Sequence, residues 1–285
     1  MTSIPAEKPR VLLFIPVYNC AKQLRRVLEA VSGCADRFEE VLIVDNGSSD
    51  ATPEVAREVG ATLGTRVSLV RNRLNLNLGG SHKVAFGYAI RGGFDLLVVL
   101  HGDDQGDVRD VLPVLDGISP GAEWDCWLGS RFMWGARRQG YSFIRTVGNW
   151  VFNALFSLVT LRWINDLGSG LNVFSVRALA GNNWYGFRNN LTFNYYVTLG
   201  FARWKWRCRY FPISWRETDQ VSSVRVLRQI REMLVLLARY VWDADALLRQ
   251  DFNGLSRESY DANVVWSNGS AAPRGSRVEG DGEER

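Results

Sequence analysis

The stretch VLLFIPV at residues 11–17 is short, apolar and rich in β-branched side chains, and VLIV at residues 41–44 has the same character. Runs of this kind are typical of strands that are buried on both faces of a parallel sheet. The segment between them, residues 21–31, has apolar side chains three and four positions apart, at Leu24, Val27, Leu28 and Val31. That spacing predicts an amphipathic helix, so the chain begins as strand, helix, strand.

The same alternation continues as far as residue 100. A turn cluster, DNGSSD at residues 45–50, precedes a helix that begins at Thr52-Pro53. Further strands are predicted at residues 67–70 and 95–100, with a helix at 81–90 between them. Strands that alternate with helices indicate an α/β fold with a mostly parallel central sheet, and such sheets bind ligands beyond the carboxyl ends of their strands.

The second half of the chain is less regular. Residues 144–161 are predicted to form a helix in which Asn149, Asn153 and Ser157 make one narrow polar stripe on an otherwise apolar cylinder, so protein or lipid must cover it. Residues 222–241 have the pattern of an amphipathic helix. We divide the chain into an N-terminal tail at 1–9, an α/β domain at 10–220, an amphipathic helical segment at 221–252 and a disordered polar tail at 253–285.

Composition adds a strong asymmetry of charge. The 285 residues are enough for one sizeable core, and the net charge is only +4. Residues 131–240, however, carry 16 Lys or Arg against four acids, so this stretch is +12 and the rest of the chain is −8. Seven of the 11 tryptophans lie there too. The pattern indicates an anionic partner, either nucleic acid, a phosphorylated substrate or a membrane surface.

The four cysteines, Cys20, Cys34, Cys126 and Cys208, are far apart and have no metal-binding spacing. The N-terminus is polar and has no secretory apolar region, so we expect a reduced, cytoplasmic setting. The longest charge-free stretches, residues 146–161 and 189–202, are shorter than a membrane span, and we expect no helix to cross a bilayer.

We expect the catalytic and ligand-binding residues at the carboxyl ends of the strands. Asp45 follows VLIV directly, where it could serve a ligand or simply form a turn and cap a helix. The segment Gly79-Gly80-Ser81, with Lys83 four residues after Gly79, could present N–H groups and a cation to a phosphate, or be an ordinary loop.

The strongest local signal is LHGDDQ, residues 100–105, directly after the fourth predicted strand. Carboxylate and amide oxygens in this arrangement suit Mg²⁺ or Mn²⁺, which bridge to diphosphates. The structural alternative is a cap for a helix at residues 108–115.

Six motifs in a fixed order carry a family resemblance: VLLFIPVYN, VLIVDNGSSDAT, NLGGSHKVAFGYA, VVLHGDDQ, LGSRFMWG and NDLGSGLNVFS. The chain resembles the inverting family 2 glycosyltransferases of the GT-A fold, and the similarity covers roughly residues 10 to 225. Within that family it is most similar to the dolichyl- and polyprenyl-phosphate sugar synthases of the mannose type. The resemblance implies a Rossmann-like, mostly parallel sheet flanked by helices at residues 10–220, followed by C-terminal amphipathic helices.

The resemblance also assigns roles to residues. His101 stands where the family's D-x-D-x-Q motif has its first Asp, and Cys20 stands where a Glu is usual. The metal, Mn²⁺ or Mg²⁺, is expected at His101, Asp103 and Gln105. The expected nucleotide-binding residues, to which we add Lys83 for its place at the predicted helix start, are Pro16, Tyr18, Asn19, Asp45, Lys83, His101, Gly102 and Asp103.

Phosphate and acceptor contacts are expected further along the chain, at Arg131 of the G-S-R motif, Arg137, Arg138 and Ser169. Asp166 matches the expected catalytic carboxylate, whereas Asn172 stands where many members have Arg. If the acceptor is a hydroxyl, Asp166 would be the general base. If the acceptor is a phosphate monoester, Asp166 would mainly orient it or the metal.

The favoured hypothesis is inverting transfer of a sugar from a GDP- or UDP-sugar to a polyprenyl phosphate, in cell-envelope glycan synthesis at the cytoplasmic membrane face. One alternative is a soluble or peripheral transferase that acts on a hydroxyl of a glycan or lipid-linked saccharide. Another is a non-enzymatic anion- or membrane-binding module. The apolar helix at 144–161 and WKWRCRY at 204–210 either enter the headgroup layer or pack internally. We expect no nucleic acid partner and leave homo-oligomerisation open.

Overall fold

The computed structural model describes residues 8–118, 123–217 and 226–269. Its strands are β1 (Val11–Val17), β2 (Glu40–Asp45), β3 (Arg66–Arg71), β4 (Leu96–Leu100), β5 (Cys126–Ser130), β6 (Arg137–Gln139), β7 (Leu171–Ser175), β8 (Cys208–Pro212), β9 (Ser214–Arg216) and β10 (Val264–Ser267). Its α-helices are α1 (Ala21–Ser32), α2 (Thr52–Gly60), α3 (Asn77–Gly92), α4 (Leu112–Asp116), α5 (Phe143–Thr160), α6 (Val176–Ala180), α7 (Phe193–Arg203), α8 (Val226–Trp242) and α9 (Ala244–Arg249).

Eight strands form the central sheet, in the order β10-β3-β2-β1-β4-β7-β5-β8. Strands β3, β2, β1 and β4 are parallel, whereas β7 runs antiparallel between β4 and β5. Because β7 is reversed, its first residue, Leu171, pairs with the last residue of β4, Leu100. The segment that leads into β7 therefore lies at the carboxyl edge of the parallel strands, where ligands are expected.

The predicted first half is confirmed. All four predicted strands are present, with ends that shift by one residue, and the four apolar residues predicted for the first helix are all buried in α1. Helices cover both faces of the sheet, and each face has its own apolar core. The buried strands of the predicted α/β fold thus lie between two helical layers.

Two expectations about boundaries are wrong. The third helix begins at Asn77 rather than Ser81, so Gly79 and Gly80 lie inside its first turn instead of forming a loop. The reason is close packing, since a Cβ at Gly79 would lie 2.6 Å from the Cβ of Phe193 and 2.7 Å from the carbonyl oxygen of Arg188. Glycine lets the helix approach the 188–193 segment.

The tail predicted to be disordered from residue 253 is also partly folded. Residues 257–260 form a 3₁₀ turn, and β10 pairs antiparallel with β3 at the edge of the sheet. Trp266 packs close to Gly60 and Val67. Residues 270–285, and residues 1–7 of the tail predicted at 1–9, lie outside the described residues. The boundary at residue 253 therefore moves to at least 269.

Two helices fall where the segment 221–252 predicts them, α8 and α9, while residues 221–225 lie outside the described residues. The predicted helix at 144–161 is present as α5. Across the part of the chain that the structure describes, none of the helices has the combination of length and hydropathy that crossing a bilayer requires.

Candidate functional site

A cleft of 410 Å³ opens at the carboxyl ends of β1 and β4. Its volume lies in the range of small-molecule sites. The structure brings six of the predicted nucleotide-binding residues together there, along with Cys20, which stands where the family usually has Glu, and three residues that the sequence did not single out. The lining residues are Pro16, Tyr18, Asn19, Cys20, Gln23, Leu78, His101, Gly102, Asp103 and Leu191.

The wall formed by β1 is held close to the residues after β4. The N–H of Gly102 donates to the carbonyl of Pro16 at 3.2 Å, and a Cβ at Gly102 would lie 2.6 Å from Val17 Cγ1. Tyr18 is 52% exposed, so one face of its ring is available to a ligand. Asn19, at a φ of 49°, accepts the N–H of Ser49 on its Oδ1, which joins this wall to the loop after β2.

Asp45 ends β2 and its side chain is fully buried. Its Oδ1 accepts the N–H of Ser48 at 2.9 Å, so the turn that the sequence predicts is present. Its Oδ2 is buried without a hydrogen-bond partner, and the Nε of Arg71 forms a salt bridge with it at 3.6 Å. Asp45 lies outside the cleft lining, but this oxygen remains able to accept a hydrogen bond.

His101 is held by its backbone, because its N–H donates to the carbonyl of Gly170 at 3.1 Å. Its ring packs over Gly170, where a Cβ would lie 2.9 Å from the ring. Burial lowers the pKa of His101 to about 4, so the imidazole is neutral near pH 7. Its Nε2 is buried and has no hydrogen-bond partner. This nitrogen is therefore an unused ligand atom in the wall of the cleft.

The two adjacent carboxylates point to different partners. Asp103 lines the cleft, and burial raises its pKa to about 6. The hydrogen bond that its carboxylate accepts from the N–H of Gln105 lowers the pKa by a smaller amount. Asp104, at a φ of 59°, pairs with Arg26 at 2.6 Å and with Arg216 at 3.3 Å. Of the two carboxylates, that of Asp103 therefore faces the cleft, whereas that of Asp104 faces arginines.

The sequence left open that LHGDDQ only caps the helix that follows it, but the cap of that helix is Asp107. That residue accepts the N–H of Arg109 at 3.0 Å and caps the 3₁₀ helix Val108–Val111. Asp103 is therefore not needed as a cap.

The donor set fits a divalent cation that is shared with a ligand. Among the described residues no group of three or more His, Cys, Asp or Glu side chains could hold a metal ion. The chain offers the carboxylate of Asp103 and the unused Nε2 of His101, with Gln105 next to them in sequence. Mg²⁺ and Mn²⁺ commonly bind to one or two protein ligands and complete their shell with phosphate oxygens and water.

Asp166 and Arg131 form a buried, bidentate ion pair. Arg131 donates from Nε to one carboxylate oxygen at 2.8 Å and from Nη2 to the other at 2.7 Å. The N–H groups of Arg131 and Gly168 each add a hydrogen bond at 3.0 Å, so both oxygens of Asp166 have two donors. Burial alone would lower the pKa of Arg131, but the charge of Asp166 outweighs it and the pKa is raised.

This geometry bears on two predicted roles, which stay predictions. All four lone-pair sites of the Asp166 carboxylate accept hydrogen bonds, so it could act as a general base only after one of these bonds is released. Arg131 is buried beneath the ring of Trp215, 4.9 Å from its centroid, and is committed to Asp166. The sequence motifs singled out both residues, but they could not show that the two are partners.

Residues 166–170 connect this ion pair to the cleft. Ser169 is buried, and its hydroxyl bonds to the main chain of Leu171, where it stabilises the turn. Its phosphate contact stays a prediction. Asn172 accepts the N–H of Gly129 and donates to the carbonyl of Ser169, so it joins β5 to the same turn.

The model of the family described as "Glycosyl transferase family 2" matches residues 13–165, which is more than half of the chain. The chain belongs to this family. It is a glycosyltransferase, and the resemblance expected from the six motifs is confirmed.

Two relatives of this glycosyltransferase have names that include a polyprenyl lipid. The polyprenol monophosphomannose synthase of Mycolicibacterium smegmatis is 24% identical over 75% of this chain and 74% of that protein. The undecaprenyl-phosphate mannosyltransferase of Micrococcus luteus is 24% identical over 65% of this chain and 76% of that protein.

Solved structures show the fold. The mannosyl-3-phosphoglycerate synthase from Rubrobacter xylanophilus superposes with a TM-score of 0.58 at 16% identity, over 88% of this chain and 79% of that one. The glucosyl-3-phosphoglycerate synthase from Mycobacterium tuberculosis, in complex with Mn²⁺, UDP and its product, gives a TM-score of 0.54 at 15% identity, over 82% and 80%. The expected GT-A fold is confirmed.

The prediction for Lys83 is wrong in this glycosyltransferase. Because α3 begins at Asn77, Lys83 lies in its second turn and faces the interior, where it is fully buried. Its Nζ donates to the carbonyl of Phe187 and to Asn189 Oδ1, and burial lowers its pKa to about 7. Lys83 therefore ties the 187–189 segment to α3 instead of contacting a phosphate.

Arg137 and Arg138 lie on β6, which pairs with β9, and both are exposed. Arg138 lies 5.3 Å from the ring centroid of Phe132 and donates weakly to Thr146, at 3.4 Å. These two, unlike Arg131, keep guanidinium groups that a phosphate could reach.

Proposed function

We propose that this glycosyltransferase moves a sugar from a nucleoside diphosphate sugar, with inversion, to the phosphate of a polyprenyl phosphate. The observation that carries the choice of acceptor is the carboxylate of Asp166, which is fully hydrogen-bonded to Arg131 and Gly168. A hydroxyl acceptor needs a base to remove its proton, whereas a phosphate monoester is already anionic near pH 7.

The donor would occupy the cleft at the ends of β1 and β4. The exposed ring of Tyr18 can stack on the base. Asp45, whose Oδ2 accepts no hydrogen bond but is buried beside Arg71 and outside the cleft lining, could contact the base or ribose only if this loop moves. A divalent cation, Mn²⁺ or Mg²⁺, would be held by Asp103, His101 and Gln105. When bound, it neutralises charge that builds up on the leaving diphosphate. The Mycobacterium tuberculosis synthase, whose solved complex contains both Mn²⁺ and UDP, supports this choice.

The chemistry is then a single displacement. An oxygen of the acceptor phosphate forms a bond to the anomeric carbon while the bond from that carbon to the donor's diphosphate oxygen breaks. The nucleoside diphosphate leaves with the electron pair, and no proton has to be transferred in this step. Arg137 and Arg138 are the exposed cations that we assign to the phosphate groups on the acceptor side.

Relatives' names support the acceptor class. Polyprenol, undecaprenyl phosphate and dodecaprenyl phosphate occur in the names of three of them. The second candidate, transfer to a hydroxyl of a glycan or lipid-linked saccharide, would require a free carboxylate near the acceptor. The commitment of Asp166 to Arg131 disfavours it.

The test is a screen of UDP- and GDP-sugars with Mn²⁺ or Mg²⁺, in which release of nucleotide is measured with and without a polyprenyl phosphate. We expect release that depends on the lipid phosphate and falls by about 10²-fold or more in Asp103→Asn. The matched control is the neighbouring Asp104→Asn, which removes a carboxylate that faces arginines and retains turnover. Turnover with dephosphorylated polyprenol or free sugars, but not with the lipid phosphate, would refute the proposal.

A further inference from the structure

The polar stripe of α5 faces inward. Asn153 donates to the carbonyl of Asn165 at 2.6 Å, and Ser157 accepts the N–H of Ile164 at 2.9 Å. Asn149 donates to the hydroxyl of Tyr141 at 2.8 Å. The few polar side chains of this helix are therefore used by the protein, and they hold the segment that leads to Asp166.

The opposite face of α5 is apolar and exposed. Its members recur three or four positions apart along the whole helix, which is about 27 Å long. Ile144 is 82% exposed, Leu158 71% and Leu161, just past the helix end, 88%. The exposed members of this outward face are Ile144, Val147, Trp150, Val151, Ala154, Leu158 and Leu161. An ordinary surface helix buries its apolar side chains and exposes its polar ones, whereas α5 buries its polar stripe and exposes apolar side chains.

The apolar exposure extends beyond α5. Trp134 and Trp163, on the segments before and after it, are both largely exposed. Helix α8 packs against α5 and exposes apolar side chains next to arginines. Its exposed residues of these two kinds are Arg228, Arg231, Leu234, Val235, Ala238, Arg239, Val241 and Trp242.

Charge identifies what covers this face. Several arginines of the basic half are paired with acids from elsewhere in the chain, such as Arg203 with Asp245 and Arg216 with Asp104. Among the described residues, no acid forms a salt bridge with four of the exposed arginines that lie on or beside α5 and α8, namely Arg138, Arg162, Arg231 and Arg239. A two-fold contact between copies would bring this basic surface against itself, which is unfavourable. An anionic bilayer surface satisfies both the arginines and the apolar side chains, and Trp favours the interfacial layer.

We propose that the outward face of α5, with the exposed side of α8, lies in the headgroup layer of an anionic membrane. The face itself does not depend on the proposed function. The role of this membrane contact in catalysis does rest on the proposed function. The inward side of α5 binds residues 164 and 165, next to Asp166, so a membrane-bound α5 would hold the acceptor side of the site beside the lipid headgroups. A lipid phosphate could then reach the site without leaving the bilayer.

The experiment is co-sedimentation of the full chain, without any nucleotide sugar, with phosphatidylcholine vesicles that contain either no phosphatidylglycerol or about one third of it. We expect binding to the anionic vesicles and a loss of about ten-fold or more when Ile144→Asp and Leu158→Asp are combined. Leu74→Asp, an exposed leucine between β3 and α3, is the matched control and keeps wild-type binding.

Equal binding by the double variant and the wild-type chain would overturn the proposal. So would a wild-type chain that ignores both vesicles but forms a dimer in sedimentation equilibrium that the double variant abolishes, since a second copy would then cover the face. Circular dichroism melting shows that each variant is folded. Because no donor is present, failure here is separate from failure of the transfer assay.

Discussion

Asp166 sits where a family member is expected to have its reactive carboxylate, yet its surroundings are those of a structural ion pair. Two charge-assisted contacts to Arg131 and two backbone N–H groups use every lone pair that it has. Removing one partner of such a pair leaves the other buried and uncompensated, which costs far more than the intact pair contributes.

We therefore predict that Asp166→Asn lowers the free energy of unfolding by about 3–5 kcal/mol. Combining it with Arg131→Met should recover part of this loss, because no buried charge is then left unpaired. Urea denaturation of the two single variants and the double variant measures both effects. A purely catalytic role would instead leave the urea midpoint of Asp166→Asn at the wild-type value.

His82 gives a prediction for pH. It is buried among aromatic rings, and burial, with a smaller effect from His101, lowers its pKa to about 3. The unfolded chain binds this proton near pH 6.5 and the folded chain does not. Below pH 6.5 the free energy of unfolding should therefore fall, by up to about 1.4 kcal/mol per pH unit from this residue.

The measurement is the difference in slope between the wild-type chain and His82→Gln, from urea denaturation between pH 7 and pH 5. His82→Gln should be less stable at pH 7 but lose less stability on acidification. Parallel pH profiles for the two chains would contradict the shift.

At the residue scale, positions at strand ends could be predicted from sequence, because the direction of a parallel strand determines which edge receives the next residue. Tyr18, His101 and Asp103 line one cleft for that reason. The partners of Lys83 and Asp166 could not be predicted, since each depends on residues more than 30 positions away. No local pattern carries that information.

Among the elements, the short strand β10 contributes both an edge to the sheet and a tryptophan to its packing. It pairs with β3, which would otherwise be an open edge of the sheet, and it places Trp266 over Gly60 and Val67. Polar composition around residue 260 predicted disorder, because a few well-placed anchors change average composition very little.

Trp266→Ala should lower the free energy of unfolding by about 2–3 kcal/mol, since the ring is half-buried rather than fully enclosed. The matched control is Val265→Ala, an exposed neighbour whose loss should change stability by less than about 0.5 kcal/mol. Both values come from urea denaturation. Similar effects of the two substitutions would mean that β10 does not pack as described.

Helix α5 shows what periodicity can and cannot predict. The spacing of Asn149, Asn153 and Ser157 predicted a helix with one polar stripe, and that helix is present. The direction of the stripe was open, because a pattern defines two faces without saying which one the protein covers. The hydrogen bonds to Asn165 and Ile164 decide it.

For the whole molecule, metal and donor are expected to act together. The cation ligands that the cleft offers are few, the carboxylate of Asp103 and the Nε2 of His101 with Gln105 beside them, so we expect the cation to bind together with the donor's phosphates rather than before them. Chelation with EDTA should leave the melting temperature unchanged within about 1 °C in the absence of donor.

With a bound donor and Mn²⁺, the melting temperature should rise by several degrees, because a ligand that binds only the folded chain stabilises it. EDTA should remove most of that rise, and Asp103→Asn should reproduce the effect of EDTA. The measurement is thermal denaturation with the nucleoside diphosphate of the active sugar. If the nucleoside diphosphate raises the melting temperature equally with and without EDTA, then the donor binds without the cation and this prediction is wrong.

The contact between His101 and Gly170 makes the two positions depend on each other. A Cβ at residue 170 would lie 2.9 Å from Cγ and Nδ1 of the imidazole and 3.3 Å from its Cβ, whereas the backbone bond between the two residues involves neither side chain. Any side chain at residue 170 would therefore have to displace the imidazole, and with it the buried Nε2 that we assign to the cation. A residue without a side chain thus fixes the position of a nitrogen that belongs to another residue.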